Sequence, residues 1–94
     1  LIKKVQQYIK NNYDKRITLE EAAKYVYISP QYLSKKFKEV TGENFIDYVL
    51  EVKIKRSKFL LRNSNMRVKD ISVQLGFTDY TYFCKVFNTG LSLL

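Results

Sequence analysis

NFIDYVLEVKIKRSKFLLRN, residues 44–63, is the stretch on which the reading of this chain turns. Neither Gly nor Pro interrupts it, Asn44 is placed to cap it, and Asp47 follows three positions later, so one long helix is expected. Wound at ~100° per residue, Phe45, Ile46, Val49, Leu50, Val52, Ile54, Phe59, Leu60 and Leu61 spread over roughly 220°. Asp47, Glu51, Lys55, Lys58 and Arg62 are left on a narrow polar strip. A helix lying on one core shows an apolar stripe nearer ~100–150° wide. The excess predicts a strut buried on two sides, between two packed units.

The flanking sequence supplies both units. Upstream, Leu1 to Asn12 reads as a helix with Ile2, Val5 and Ile9 on one face and Lys3, Lys4 and Lys10 on another, stopped by Asn11, Asn12 and Asp14. Thr18-Leu-Glu-Glu21 has the spacing of a capping box and opens a short helix through Val26. Ser29-Pro30 starts the next helix, because Ser caps and Pro at the first helical position forfeits only an N–H without a helical partner. That helix is expected to turn Leu33, Phe37 and Val40 inward and to end at Thr41-Gly42. Downstream, Ser64 to Arg67 is a short polar link and Val68 to Leu75 a short helix broken by Gly76. Thr78-Asp79 then caps a last helix through Phe87.

The two flanks repeat. Leu19, Val26, Leu33 and Phe37 correspond to Val68, Leu75, Phe83 and Phe87 at offsets of 49, 49, 50 and 50, so the second copy carries one extra residue in its turn. Ala23 corresponds to Ser72, both small, where two helices cross closely. Tyr32-Leu-Ser-Lys-Lys-Phe37 corresponds to Tyr82-Phe-Cys-Lys-Val-Phe87. A short helix, a tight turn and a second helix on a small shared core make a helix-turn-helix unit. The expected architecture is therefore all-α, with two such units of homeodomain-like, three-helical type at residues 1–43 and 64–94, joined by a linker helix at 44–63.

Composition narrows the function. In 94 residues, 17 Lys and Arg against 9 Asp and Glu give a net charge of +8, which for so small a domain points to a polyanion, usually nucleic acid. A single Cys allows no internal disulfide, and the absence of His argues against a zinc site, so neither a metal nor a cofactor is expected. No apolar run approaches ~18 residues and no signal peptide is visible, so neither a membrane span nor export is expected and a cytoplasmic setting is the default. The first residue is Leu1, already in helical register, as expected of a piece of a larger protein.

ISPQYLSKKFKEVTGENFIDYV, followed by DISVQLGFTDYTYFCKVF, resembles the DNA-binding domain of the AraC/XylS transcription regulators. More narrowly, it resembles the copies at the C-terminal end of certain two-component response regulators. The resemblance covers nearly the whole chain, and its second-half pattern I-x-x-x-x-G-F-x-D-x-x-Y-F-x-x-x-F is specific. It implies two helix-turn-helix units binding consecutive major-groove segments of double-stranded DNA in a bacterial regulator. RNA polymerase is an implied partner, and a homodimer could form through a domain beyond this chain. Lys53 and Ser57 stand where that family usually has Arg and Ala, and Ser72 replaces a common Ala, all read as mild changes. The tail departs further. Where the family continues to G-x-[ST]-P-x-x-[YF]-R, this chain reads Phe87-Asn-Thr-Gly-Leu-Ser-Leu-Leu94. A shortened or absent closing helix is expected, with Ile71, Leu75, Phe83 and Phe87 partly uncovered unless Leu91, Leu93 and Leu94 fold back.

In each unit the second helix is expected to present side chains opposite its core face to the major groove. In the first unit these are Gln31, Ser34, Lys35 and Lys38, the first three matching the family's base readers. Gln suits adenine N6/N7 and Lys suits guanine O6/N7. In the second unit Tyr80, Thr81 and Lys85 take the corresponding places, with Cys84 nearby. Tyr80 and Thr81 suit thymine methyls or, through their hydroxyls, phosphate. Linker lysines and arginines are read first as a solvated face. Tyr25, Tyr32, Tyr48 and Tyr82 are read as half-buried side chains rather than a stacking surface for single strands. The rival of another class is a helical protein-interaction module docking on the transcription machinery, which needs an apolar groove in place of two polar, basic helix faces. An enzyme is disfavoured, since no paired carboxylates, metal cluster or Gly-rich phosphate loop is present.

Overall fold

The long helix forms as expected, and a group of helices packs along each half of it. In the computed structural model, which describes the backbone of residues 1–93 and side chains through Asn88, the order is α1 (Ile2–Asn11), α2 (Leu19–Tyr25), α3 (Pro30–Thr41), α4 (Phe45–Asn63), α5 (Val68–Gln74) and α6 (Tyr80–Leu93). The described residues contain no strand. At ~1.5 Å per residue, the 19 residues of α4 run about 28 Å.

Two apolar clusters sit on α4. The first gathers Val5, Ile9, Ala22, Ala23, Leu33 and Phe37 from α1–α3 around Phe45 and Val49, with Tyr48 and Val52 at its edge. The second gathers Ile71, Leu75 and Phe83 around Ile54 and Leu60. At ~100° per residue, the α4 residues in the first cluster and those in the second point in directions roughly 130° apart, so the strut does bury two sides. The apolar arc is nevertheless not buried throughout. Ile46 and Phe59 stay 53% and 49% exposed, because each cluster reaches only its own half of the helix.

Local signals set most boundaries. The Thr18 hydroxyl oxygen accepts from Glu21 N–H at 3.1 Å and the hydroxyl donates to the Glu21 carboxylate, capping α2. Ser29 Oγ accepts from Tyr32 N–H, with Pro30 at the first position of α3. Gly42 ends α3 at φ 81°, its N–H donating to Lys38 O. Asn44 stands at the start of α4 but does not cap it with its side chain; its amide instead donates to Asp47.

Two expectations fail, the first for a tertiary reason and the second for a local one. Val40 is 58% exposed rather than inward. It lies in line with Leu33 and Phe37, but the start of α4 closes over Phe37, through Phe45 and Tyr48 at ring separations of 5.6 and 5.3 Å, and leaves the last turn of α3 outside. The last helix does not stop at Phe87 but continues to Leu93, since a lone Gly90 lowers helix propensity by only ~1 kcal/mol. Ile71, Leu75 and Phe83 are buried, among Tyr13, Met66 and Phe77, whereas Phe87 at the edge of the cluster is partly exposed. The proposed fold-back of Leu91, Leu93 and Leu94 lies outside the described side chains.

Candidate nucleic-acid interface

The repeat read from sequence recurs in two backbone bonds at matching positions of the two turns. In the first, Tyr27 N–H donates to Lys24 O and Ile28 N–H to Ala23 O; in the second, Gly76 N–H donates to Val73 O and Phe77 N–H to Ser72 O. The second residue after each short helix takes positive φ, 61° at Tyr27 and 82° at Gly76. Ser29 and Asp79 then cap the second helix of each unit, Asp79 Oδ1 accepting from Tyr82 N–H at 3.2 Å. The offset changes from 49 to 50 between Phe77 and Asp79, which places the extra residue at Thr78.

These turns aim α3 and α6. Leu33 and Phe37 anchor α3, and Phe83 anchors α6, with Phe77 edge-on to Phe83 at 5.0 Å. The opposite faces are left to solvent: Gln31, Ser34, Lys35 and Lys38 are exposed on α3, and Thr81 and Lys85 on α6, while Tyr80, also exposed, stacks on Phe83 at 6.4 Å beside the core face. All seven expected site residues are thus accessible, in two groups of four and three. Tyr32, Lys35, Lys36 and Glu39 line a shallow open cleft on α3. Among the described residues the ion pair within 4.0 Å is Lys55–Glu51 at 3.2 Å, so the α3 and α6 lysines have no internal carboxylate partner. Hydrogen bonding with Cys84, then its charge, raises the Tyr80 phenol, which stays protonated at neutral pH as a donor. Tyr25, Tyr32 and Tyr82 are half-exposed, while Tyr48 packs on the first cluster.

A profile of the helix-turn-helix domain family matches residues 22–92. The chain belongs to the AraC-type helix-turn-helix family. Among curated relatives, the regulatory protein PocR of Salmonella typhimurium is 37% identical over 86 residues, which cover 92% of this chain and 28% of PocR. Among solved structures, the C-terminal domain of the two-component response regulator yesN of Fusobacterium nucleatum is 31% identical, with a TM-score of 0.87 over 93% of this chain and 91% of that one. The DNA-binding domain of the global transcriptional factor AdpA, solved with a target DNA, shares the fold at 17% identity and a TM-score of 0.87, covering 94% of this chain and 79% of that one. The chain spans under a third of PocR's length. Like its AraC-type relatives, it is a DNA-binding module of transcription regulation.

Sequence reasoning missed one group. Lys53 was read as a mild replacement on the linker, yet it is 5% exposed and is the most connected polar side chain of α4. Its ammonium donates to Tyr13 O at 2.8 Å, Lys15 O at 2.5 Å and Leu75 O at 2.5 Å, using all three N–H bonds. Burial pulls its pKa down to about 8, with Asp14 acting in the opposite direction. Arg56 faces the rings of Tyr13 at 5.3 Å and Phe59 at 4.6 Å. The available signal was spacing: Lys53 lies four residues after Val49 and four before Ser57, on the buried side of α4.

Proposed function

We propose that this chain binds duplex DNA sequence-specifically in two consecutive major-groove segments, as the output domain of a larger transcription regulator. The observation that carries the reading is the turn repeated with the same two backbone bonds, with an exposed polar helix face after each copy. The working units are residues 1–43 and 64–94, with 44–63 as linker. In the first, Gln31 reads adenine, Lys35 reads guanine and Ser34 assists, while Lys38, one turn further, neutralises phosphate. In the second, Tyr80 and Thr81 pack on thymine methyls and Lys85 reads guanine. The longest dimension of the molecule, 40 Å, accommodates two reading helices one ~34 Å turn of B-DNA apart. Because the two reading faces differ, the site is asymmetric. RNA polymerase is the partner that such a regulator needs, and there is room for a homodimer through a domain beyond this chain.

Selecting bound duplexes from a random pool tests the reading. The expected product is one asymmetric site with two preferred segments about 10 base pairs apart. A single short segment, or no enrichment, overturns it, and the second result favours a protein-docking module.

A further inference from the structure

The loop between α1 and α2 belongs by sequence to the first unit, yet it is fastened to the second. The Tyr13 ring packs on the second apolar cluster and faces Arg56. The Tyr13 and Lys15 carbonyls accept from Lys53, which also holds Leu75 O at the turn between α5 and α6. Gly76, next in that turn, lies so close to the same loop that a Cβ there would stand 2.7 Å from the Lys15 carbonyl carbon and 2.9 Å from its oxygen. The loop is itself stiffened, Asn12 donating through its side chain to Tyr8 O and Lys15 N–H donating to Asn12 O. One ammonium therefore ties α4, the first unit's loop and the second unit's turn together.

We infer that Lys53 is a positioning residue: by holding the Tyr13, Lys15 and Leu75 carbonyls at one point, it locks the two reading helices in a fixed relation and so sets the spacing of the DNA site, while touching no DNA. The alternative, two units hinged freely on the linker, leaves no reason for a buried ammonium whose acceptors come from both flanks. A hydrocarbon side chain would fill the space without joining the flanks. The inference rests on the two-segment reading proposed above. Its consequence is specific, because a locked pair of helices tolerates one separation and one helical phase. Each inserted base pair shifts the second segment by ~3.4 Å and rotates it by ~35°.

The test compares the intact chain with Lys53→Met and Gly76→Ala, the second variant loosening the same contact from the opposite side. Each protein is titrated with the selected duplex, with duplexes carrying one base pair added or removed between segments, and with each segment alone. For the natural chain, linking the segments raises affinity and a one-base-pair change removes ~10-fold or more of the gain. In both variants that penalty falls to ~3-fold or less, and in Lys53→Met, which leaves both turns intact, binding to isolated segments stays within about 2-fold. If linking the segments gives the natural chain no gain, the two-segment reading fails and takes this inference with it; if the gain is there but ignores spacing, the inference alone is overturned. If the natural chain discriminates and a folded variant discriminates as sharply, the inference alone is overturned. Residual dipolar couplings on the natural chain give a reading independent of how well the variants fold. One alignment frame for both units is expected, and two independent frames overturn the lock.

Discussion

Replacing Gly76 by Ala should destabilise the chain far more than replacing Gly42 by Ala, although the two glycines share a backbone conformation. Their φ values are 82° and 81°, so both substitutions force a side chain into the left-handed region, a term of ~1–2 kcal/mol. Alanine recovers about half of that or more by restricting the unfolded chain, leaving ~1 kcal/mol or less net. At Gly42 nothing lies within 4 Å of the added Cβ, and the backbone term is the whole effect. At Gly76 the Cβ meets Lys15 C at 2.7 Å, Lys15 O at 2.9 Å and Arg16 N at 3.1 Å, all inside ordinary contact at 3.4 Å. These are backbone atoms, so the α1–α2 loop must retreat by roughly half an ångström or more, stretching the bond between Lys15 O and Lys53. A hydrogen bond to a charged donor contributes ~1.5–3 kcal/mol, and losing much of one brings Gly76→Ala to about 3 kcal/mol. For a domain of this size, the ~2 kcal/mol gap separates the melting temperatures by roughly 8–16 °C. Thermal and urea denaturation followed by circular dichroism measure it, with the Gly42 variant as internal control. Equal losses at the two glycines would refute the argument that the Gly76 contact joins the flanks.

Other predictions follow from single features. Lys35→Ala should weaken the selected site by ~1–3 kcal/mol and relax preference at one base pair, whereas Lys38→Ala should weaken all sequences about equally; a uniform loss from both, seen in competition binding, removes Lys35 from the readers. Tyr27 holds φ 61° with its side chain 93% exposed, so Tyr27→Gly should stabilise by ~0.5–1 kcal/mol in urea melts, and a net loss would show that the ring contributes more than its exposure suggests. For Lys53 the sign runs upward with pH. Its folded pKa of about 8 lies below the ordinary lysine value of ~10.4, so between them the unfolded chain binds more protons and this residue makes stability rise with pH. Urea midpoints through that window should therefore climb more for the natural chain than for Lys53→Met, and parallel curves would contradict the shift.

What the sequence made legible is what local chemistry decides. Thr18, Ser29 and Asp79 cap because a side-chain oxygen can reach an N–H three residues on, and Gly42 and Gly76 end helices because they accept positive φ. The repeat at offsets of 49 and 50 was legible for the same reason, as each unit solves the same turn with the same bonds. Val40 was misread because periodicity gives a direction and not the point at which a neighbouring helix ends. The cover that Tyr13 gives Ile71, Leu75 and Phe83 was not legible, because it comes from the opposite end of the chain. Lys53 was passed over because its three acceptors are backbone carbonyls, which leave no trace in residue identity. Six of the seven side chains proposed to meet DNA were legible as outward positions, a consequence of helical winding about Leu33, Phe37 and Phe83; Tyr80, three residues before Phe83, lies beside the core face instead.

The salt dependence of duplex binding tests the central claim most directly. A chain of charge +8 that lays two helices into consecutive major-groove segments should meet 6–8 phosphates, and log K should fall against log salt with a slope of roughly −5 to −7. Titrations of the selected duplex across a range of salt concentrations give the slope. A value in that range, halved when either segment is presented alone, is the predicted result; a flat dependence would contradict the account.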